Sequence, residues 1–169
     1  MLLAAALAAR ALSETRGVGL AAYPRQPRVV VPAVGEGQQW RVLRSLALLR
    51  ADGEIDLGRS LGELGQGISR GSATIIITPS ADPGWLPQLA QLSRQGIESH
   101  VLLLDRPSFG GVGDSEALRQ AITLLGYRCQ VVRRGEVGQP IVEAERHGFW
   151  DFKVTGTGKA VAVRRPFDH

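Results

Sequence analysis

The side chains of this sequence best suited to chemistry are four aspartates, Asp56, Asp82, Asp105 and Asp114. Carboxylates gathered where strands end can hold a divalent cation, or act as general acid and base in a hydrolysis. The competing account is local. Asp82 precedes Pro83 and Asp114 precedes Ser115, and an Asp ahead of a first helical turn accepts hydrogen bonds from that turn's free N–H groups. Asp56 and Asp82 are the candidate metal ligands, yet two carboxylates without converging oxygen partners more often cap helices. The residues therefore predict no bound metal and no cofactor. Gly156-Thr157-Gly158-Lys159 ends like a phosphate-binding loop, but that motif needs an earlier glycine, a hydroxyl after the lysine and a helix beyond. Ala160 and Val161-Ala162-Val163 follow instead, so the segment reads as a hairpin turn. Gly110-Gly111-Val112-Gly113 could bring backbone amides to an anion, but Asp114 comes next, which favours a surface loop. His100, His147 and His169 share no metal or triad spacing, and Ser72, Ser80 and Ser108 lack a nucleophile-elbow context. Cys129 sits in the alternating run Tyr127 to Val132, as a small core residue would. The expectation is a protein that is not an enzyme.

The elements that would position these residues are read from periodicity. Ala73 to Thr78 is a short, largely β-branched run that stops at Pro79, a residue that cannot donate to a ladder, so it reads as a strand of an α/β sheet. In such sheets ligands sit beyond the carboxyl ends of the strands, which directs attention to the residues after Thr78. Leu2 to Leu12 predicts a helix closed at Gly17, and Val18 to Tyr23 and Arg28 to Val31 predict two strands joined by Pro24-Arg25-Gln26-Pro27. Apolar residues at helical spacing predict helices from about Gly37 to Arg50 and from Leu57 to Ile68. Asp82-Pro83 opens a helix ending near Gly96, Ile97 to Leu104 is a strand, Asp114 or Ser115 opens a helix through Leu125, and Tyr127 to Val132 is a further strand. This β, α, β, α, β order predicts a parallel sheet with right-handed crossovers. Phe149 to Thr155 and Ala160 to Arg164 predict a C-terminal hairpin, which divides the chain into a domain over 1–135 and an extension over 136–169.

Composition narrows the function classes. Of 169 residues, 44% are hydrophobic, enough for one core. The net charge of +4 is carried almost entirely by arginine, with only Lys153 and Lys159 as lysines. The pairs Arg25/Arg28, Arg133/Arg134 and Arg164/Arg165 are scattered among acids, so nucleic acid is not the expected partner, and an Arg-driven nucleic-acid binder stays as an alternative. The apolar start, Met1 to Ala9, is too short to span a bilayer and has no basic residues before it, so neither a membrane span nor a secretory signal is expected.

Three runs carry a family resemblance: Gly17-Val18-Gly19-Leu20-Ala21-Ala22-Tyr23, Gly53-Glu54-Ile55-Asp56-Leu57-Gly58-Arg59-Ser60-Leu61 and Ile75-Ile76-Ile77-Thr78-Pro79-Ser80. Over roughly Leu3 to Leu104 the chain resembles the domain of unknown function 58 family, whose members carry a von Willebrand factor type A-like domain. The resemblance implies a Rossmann-type three-layer α/β sandwich with a mostly parallel sheet. It also implies that the usual first, central strand and its Asp-x-Ser-x-Ser metal loop would precede Met1 and are missing, as in a truncated product. The two other metal positions of such domains fall on Ile55 and Pro79, so the metal site is degenerate. A missing central strand leaves two exposed sheet edges, and the expectation is poor stability, self-association, or a shift of the Val18 strand directly against Ala73 to Thr78. By the same resemblance the chain is a bacterial, cytoplasmic protein-interaction module, some relatives being membrane-anchored, and works beside a MoxR-type AAA+ ATPase. Its partner-binding rim is formed by the segments Thr78 to Trp85 and Asp105 to Gly113, with Thr78, Ser80, Asp82, Trp85, Asp105 and Phe109 as the contact residues, although a tryptophan at that point more often packs over the sheet end. The alternative of another class is a Mg-dependent or hydrolytic site using Asp82, Asp105 and Asp114.

Overall fold

The computed structural model describes residues 1–136 and, beyond them, the backbone of the strands at 151–154 and 160–163. The chain divides into two compact units, Met1–Gln139 and Pro140–His169.

The first unit opens with helix α1 (Leu2–Ser13), built from the alanine- and leucine-rich start. It does not close at Gly17 as the sequence suggests. Thr15 takes the left-handed conformation (φ 59°) instead, so that its N–H and that of Arg16 donate back to the carbonyls of Leu12 and Ala11. Strands β1 (Val18–Ala22) and β2 (Arg28–Ala33) form an antiparallel pair through the proline-flanked turn. Helix α2 (Glu36–Ala47) packs its inner face, Val42 and Leu46, against Ala8 of α1 and against Val18, Leu20 and Val30 of the hairpin. Gln38 of α2 is buried, and its Nε2 donates to the carbonyls of Val18 and Val31 at the point where the β1–β2 register slips. That bond supplies a partner to backbone groups that the slipped ladder leaves open.

The second layer system begins with helix α3 (Leu57–Gly67), followed by strand β3 (Ala73–Thr78). A single 3₁₀ turn (Pro83–Trp85) leads into helix α4 (Leu86–Arg94) and strand β4 (Glu98–Leu104). A second 3₁₀ turn (Arg106–Phe109), helix α5 (Ser115–Leu124) and strand β5 (Arg128–Val132) complete the unit. The three strands form a parallel sheet in the order β3-β4-β5, with Ile76 beside Val101 and Val101 beside Cys129. Ile76, Val101 and Leu103 on one face meet Leu61 of α3, Leu89 and Leu92 of α4, and Leu118 and Ile122 of α5. Alternate residues of each strand share a face, so one helical layer covers the face that carries Ile76. The order of elements and the parallel pairing are those the periodicity predicts.

One expectation is corrected. β1 does not close up on β3: among the described strands β1 pairs with β2 alone, and β3 with β4 alone. At the slip the two strands come close enough that a Cβ at Gly19 would lie 2.8 Å from the Val30 carbonyl oxygen and 2.9 Å from the Pro32 ring, so the position takes glycine.

In the second unit, strand β6 (Asp151–Val154) pairs antiparallel with strand β7 (Ala160–Val163), Asp151 standing opposite Val163. The turn Gly156-Thr157-Gly158-Lys159, His147, His169 and Arg164/Arg165 lie outside the described residues.

Candidate functional site

The carboxyl ends of β3 and β4 form the site. The register sets Thr78 beside Leu103, which brings Pro79 next to Leu104 just beyond the sheet. The 3₁₀ turn after β4 then folds back, with Ser108 Oγ donating to the Asp105 carbonyl (2.8 Å) and accepting from the Arg134 N–H (2.9 Å). Gly110 adopts φ 88°, a conformation an L side chain rarely takes, and so lets the chain reverse after Phe109. The result is an open depression of about 220 Å³ lined by Pro79, Leu104, Arg106, Phe109 and Gly111. Its walls are apolar apart from the Arg106 guanidinium, and Phe109 is 50% exposed over it.

The predicted site residues separate into three groups. Phe109 stands at this depression. Thr78 and Trp85 do not present their side chains to a partner: they are 4% and 2% exposed. Thr78 Oγ1 accepts the Ser80 N–H (3.1 Å), while Trp85 joins Leu89 and Leu92 in the core under α4. Trp85 is thus corrected from partner anchor to core residue, because the turn at Pro83 swings it inward over the sheet end. The third group is the carboxylates. Asp56 accepts from the Arg59 N–H (2.8 Å) and caps α3, Asp82 accepts from the Gly84 N–H (3.1 Å), and Asp105 accepts from the Ser108 N–H (3.3 Å). Asp114 accepts from the N–H groups of Glu116 and Ala117 at 3.1 and 2.9 Å and caps α5. Each begins a different turn or helix and is held by that element's own backbone.

This placement decides how well the donor set suits the Mg ion of metal-binding type A domains. A hard cation wants several oxygens converging on one point, whereas these carboxylates are turned toward four separate backbone turns. Among the described residues no three His, Cys, Asp or Glu side chains come together as a ligand group. Pro79, which offers no side-chain oxygen, stands directly after β3. The described residues do not fit the ion.

Cys129 and Glu116 are among the groups whose ionisation is shifted. Burial pushes the Cys129 thiol up to about 11, so it is held in the thiol form against the helix layer and lacks the thiolate that nucleophilic chemistry requires. Glu116, on the first turn of α5, accepts from Arg119, and that hydrogen bond lowers its carboxyl below the usual range. Of the lining residues, Pro79, Arg106, Phe109 and Gly111 fall within the two rim segments expected from the sequence, and Leu104 lies outside them. The available signal was the register: the last apolar residue of one strand and the proline ending its neighbour must lie side by side.

Among solved structures the chain is similar to a von Willebrand factor type A protein from Catenulispora acidiphila, with a TM-score of 0.52 and 18% sequence identity. The similarity covers 78% of this chain and 34% of that one, so the chain spans about a third of the length of the structure it matches. The fold is that of a von Willebrand factor type A-like, Rossmann-like α/β domain. No family model matches the sequence, and no curated protein does.

Proposed function

We propose that this chain is a non-enzymatic protein-interaction module whose contact surface is the apolar depression between Pro79, Leu104, Arg106 and Phe109. The observation that carries the reading is Phe109. A large aromatic ring half exposed over an apolar hollow, on a loop fixed by Ser108 and Arg134, is what a partner side chain can bury against. The likeness to the domain of unknown function 58 family, drawn from the three sequence runs above, supplies the partner class: a MoxR-type AAA+ ATPase in the bacterial cytoplasm. That partner is an analogy of fold and sequence pattern, and the geometry adds a single requirement, an apolar group flanked by a carboxylate that can meet Arg106.

The test places a photo-crosslinking residue at position 109 and, as a control, at the exposed and distant position 124, and adds a purified MoxR-type ATPase of the source organism. The expected result is a crosslink from 109 alone, abolished by Arg106→Glu in a chain whose unfolding midpoint is unchanged. Equal crosslinking from both positions, or none from either, overturns the reading.

A further inference from the structure

The described residues hold two tryptophans in opposite surroundings: Trp85 lies in the core, whereas Trp40, on α2, is 73% exposed. α2 buries Gln38, Val42 and Leu46 against α1 and the β1–β2 hairpin. Its other side carries a second pattern. Glu36, Trp40 and Arg44 follow one another at intervals of four, so they line one outward stripe, and Leu48 at the C-cap continues it. All four are exposed, as is Val34 two residues before the helix. Among the described residues neither Glu36 nor Arg44 makes an ion pair. They stand about 12 Å apart along the helix axis, too far to meet within one chain. An indole left in water between an unpaired acid and an unpaired base is surface that a partner can bury. The stripe does not depend on what else the sheet contains, because further strands extend a sheet within its own layer and α2 lies outside that layer.

We infer that the outer stripe of α2 is a homodimer contact, in which α2 of a second copy of this chain packs antiparallel about a two-fold axis at Trp40. The order of residue types along the stripe decides the occupant. From Val34 to Leu48 it runs apolar, acidic, aromatic, basic, apolar, and an antiparallel copy reverses that order about the central aromatic. Trp40 then meets Trp40 of the second copy, Glu36 meets Arg44 in two symmetric pairs, and Val34 comes to Leu48. Parallel packing would instead set Glu36 on Glu36 and Arg44 on Arg44. An acidic protein segment or an anionic lipid surface would answer Arg44 and repel Glu36, whereas the second copy answers both charges. One helix face on each side makes a contact at the low end for specific interfaces, so the dimer is weak and forms at high micromolar concentration. It shares no residue with the depression at Phe109, and the crosslinking result there does not bear on it.

The test is sedimentation velocity on the full chain from micromolar to millimolar concentration, with two charge reversals, Glu36→Arg and Arg44→Glu, run alone and mixed. The expected result is a monomer–dimer equilibrium in the parent, weakened about 10-fold or more by either reversal alone, since each sets like charges against one another. Mixing the two variants restores dimer to the parent's level, because both symmetric pairs are then of opposite sign. Should a reversal near a helix end perturb α2, Trp40→Ala at its exposed site gives a separate reading: it weakens the dimer about 10-fold or more and leaves the unfolding midpoint of the dilute monomer unchanged. The inference is overturned if the parent stays monomeric throughout, if Trp40→Ala dimerises as the parent does, or if the two folded reversals fail to restore dimer on mixing. Retention of a monomeric parent on phosphatidylglycerol vesicles also overturns it and assigns the stripe to a lipid surface.

Discussion

Trp85 and Phe109 show how two aromatic residues with similar sequence surroundings take opposite roles. Each is the last residue of a proline-containing 3₁₀ turn that follows a strand end and an Asp cap. Trp85 enters α4 and is enclosed by the α3–α4 core, whereas Phe109 precedes Gly110, whose left-handed backbone turns the chain away before a helix can begin. The expected consequence is a separation of stability from binding. Trp85→Ala removes a buried ring and should cost about 3–5 kcal/mol of unfolding free energy. Phe109→Ala, at a half-exposed site, should stay within about 1 kcal/mol of the parent. Denaturant midpoints of the two variants check this, and a large loss at Phe109 would show that the ring is part of the core after all. The four aspartates illustrate the same ambiguity of residue type. Whether a carboxylate before a helix caps it or binds an ion depends on where its neighbours' oxygens point, and that is a matter of tertiary placement.

At the scale of elements, strand β4 carries a titratable group that makes the sheet sensitive to pH. His100 stands beside Ile75 on one side and Arg128 on the other. Burial first, and then the Arg128 charge, lower its pKa below the usual imidazole value of 6.5, while Glu98 acts in the opposite sense. A group whose pKa is depressed in the folded state takes up its proton more readily when unfolded. The folded state is therefore at no disadvantage above pH 6.5 and loses stability as the pH falls from there toward the lower folded value. The expected outcome is a denaturation midpoint that declines between about pH 7.5 and 5.5, with His100→Gln flattening that part of the profile. An unchanged profile in the variant would assign the decline to other groups. The elements themselves were legible in the sequence because β-branched runs, proline stops and Asp–Pro caps are local signals. β3 ends at Thr78 because Pro79 cannot continue it, and α5 begins at Ser115 because Asp114 caps it. The end of α1 was misread because Thr15, and not a glycine, took the left-handed turn. Which strands pair was less legible, since the β1–β2 ladder slips at Gly19 and takes a long-range contact from Gln38. That the two rim segments meet around Leu104 was hidden for the same reason: it arises from register between strands about 25 residues apart.

At the scale of the first unit, the apolar interior is two clusters. One is Ala8, Val42 and Leu46 with the β1–β2 hairpin; the other joins α3, α4 and α5 to the parallel sheet, and no buried residue belongs to both. The hairpin turn touches the segment that joins the two clusters through short polar contacts. The Arg25 N–H donates to Asp52 (3.2 Å), the Arg25 guanidinium lies 3.7 Å from Glu54 with both groups exposed, and Gly53 passes against the Tyr23 carbonyl. Exposed ion pairs contribute little, of the order of 0–1 kcal/mol, so cooperativity between the clusters should be weak and each should open with its own free energy. Leu46 is the sharpest probe, being 5% exposed and confined to the first cluster. Leu46→Ala should cost about 2–5 kcal/mol and should speed amide exchange in α1, α2, β1 and β2. The amides of β4 and of α4 should keep their parent rates, because their apolar contacts lie in the other cluster. Equal acceleration in both regions would instead show that the short segment from Leu49 to Asp56 couples the two cores into one cooperative unit.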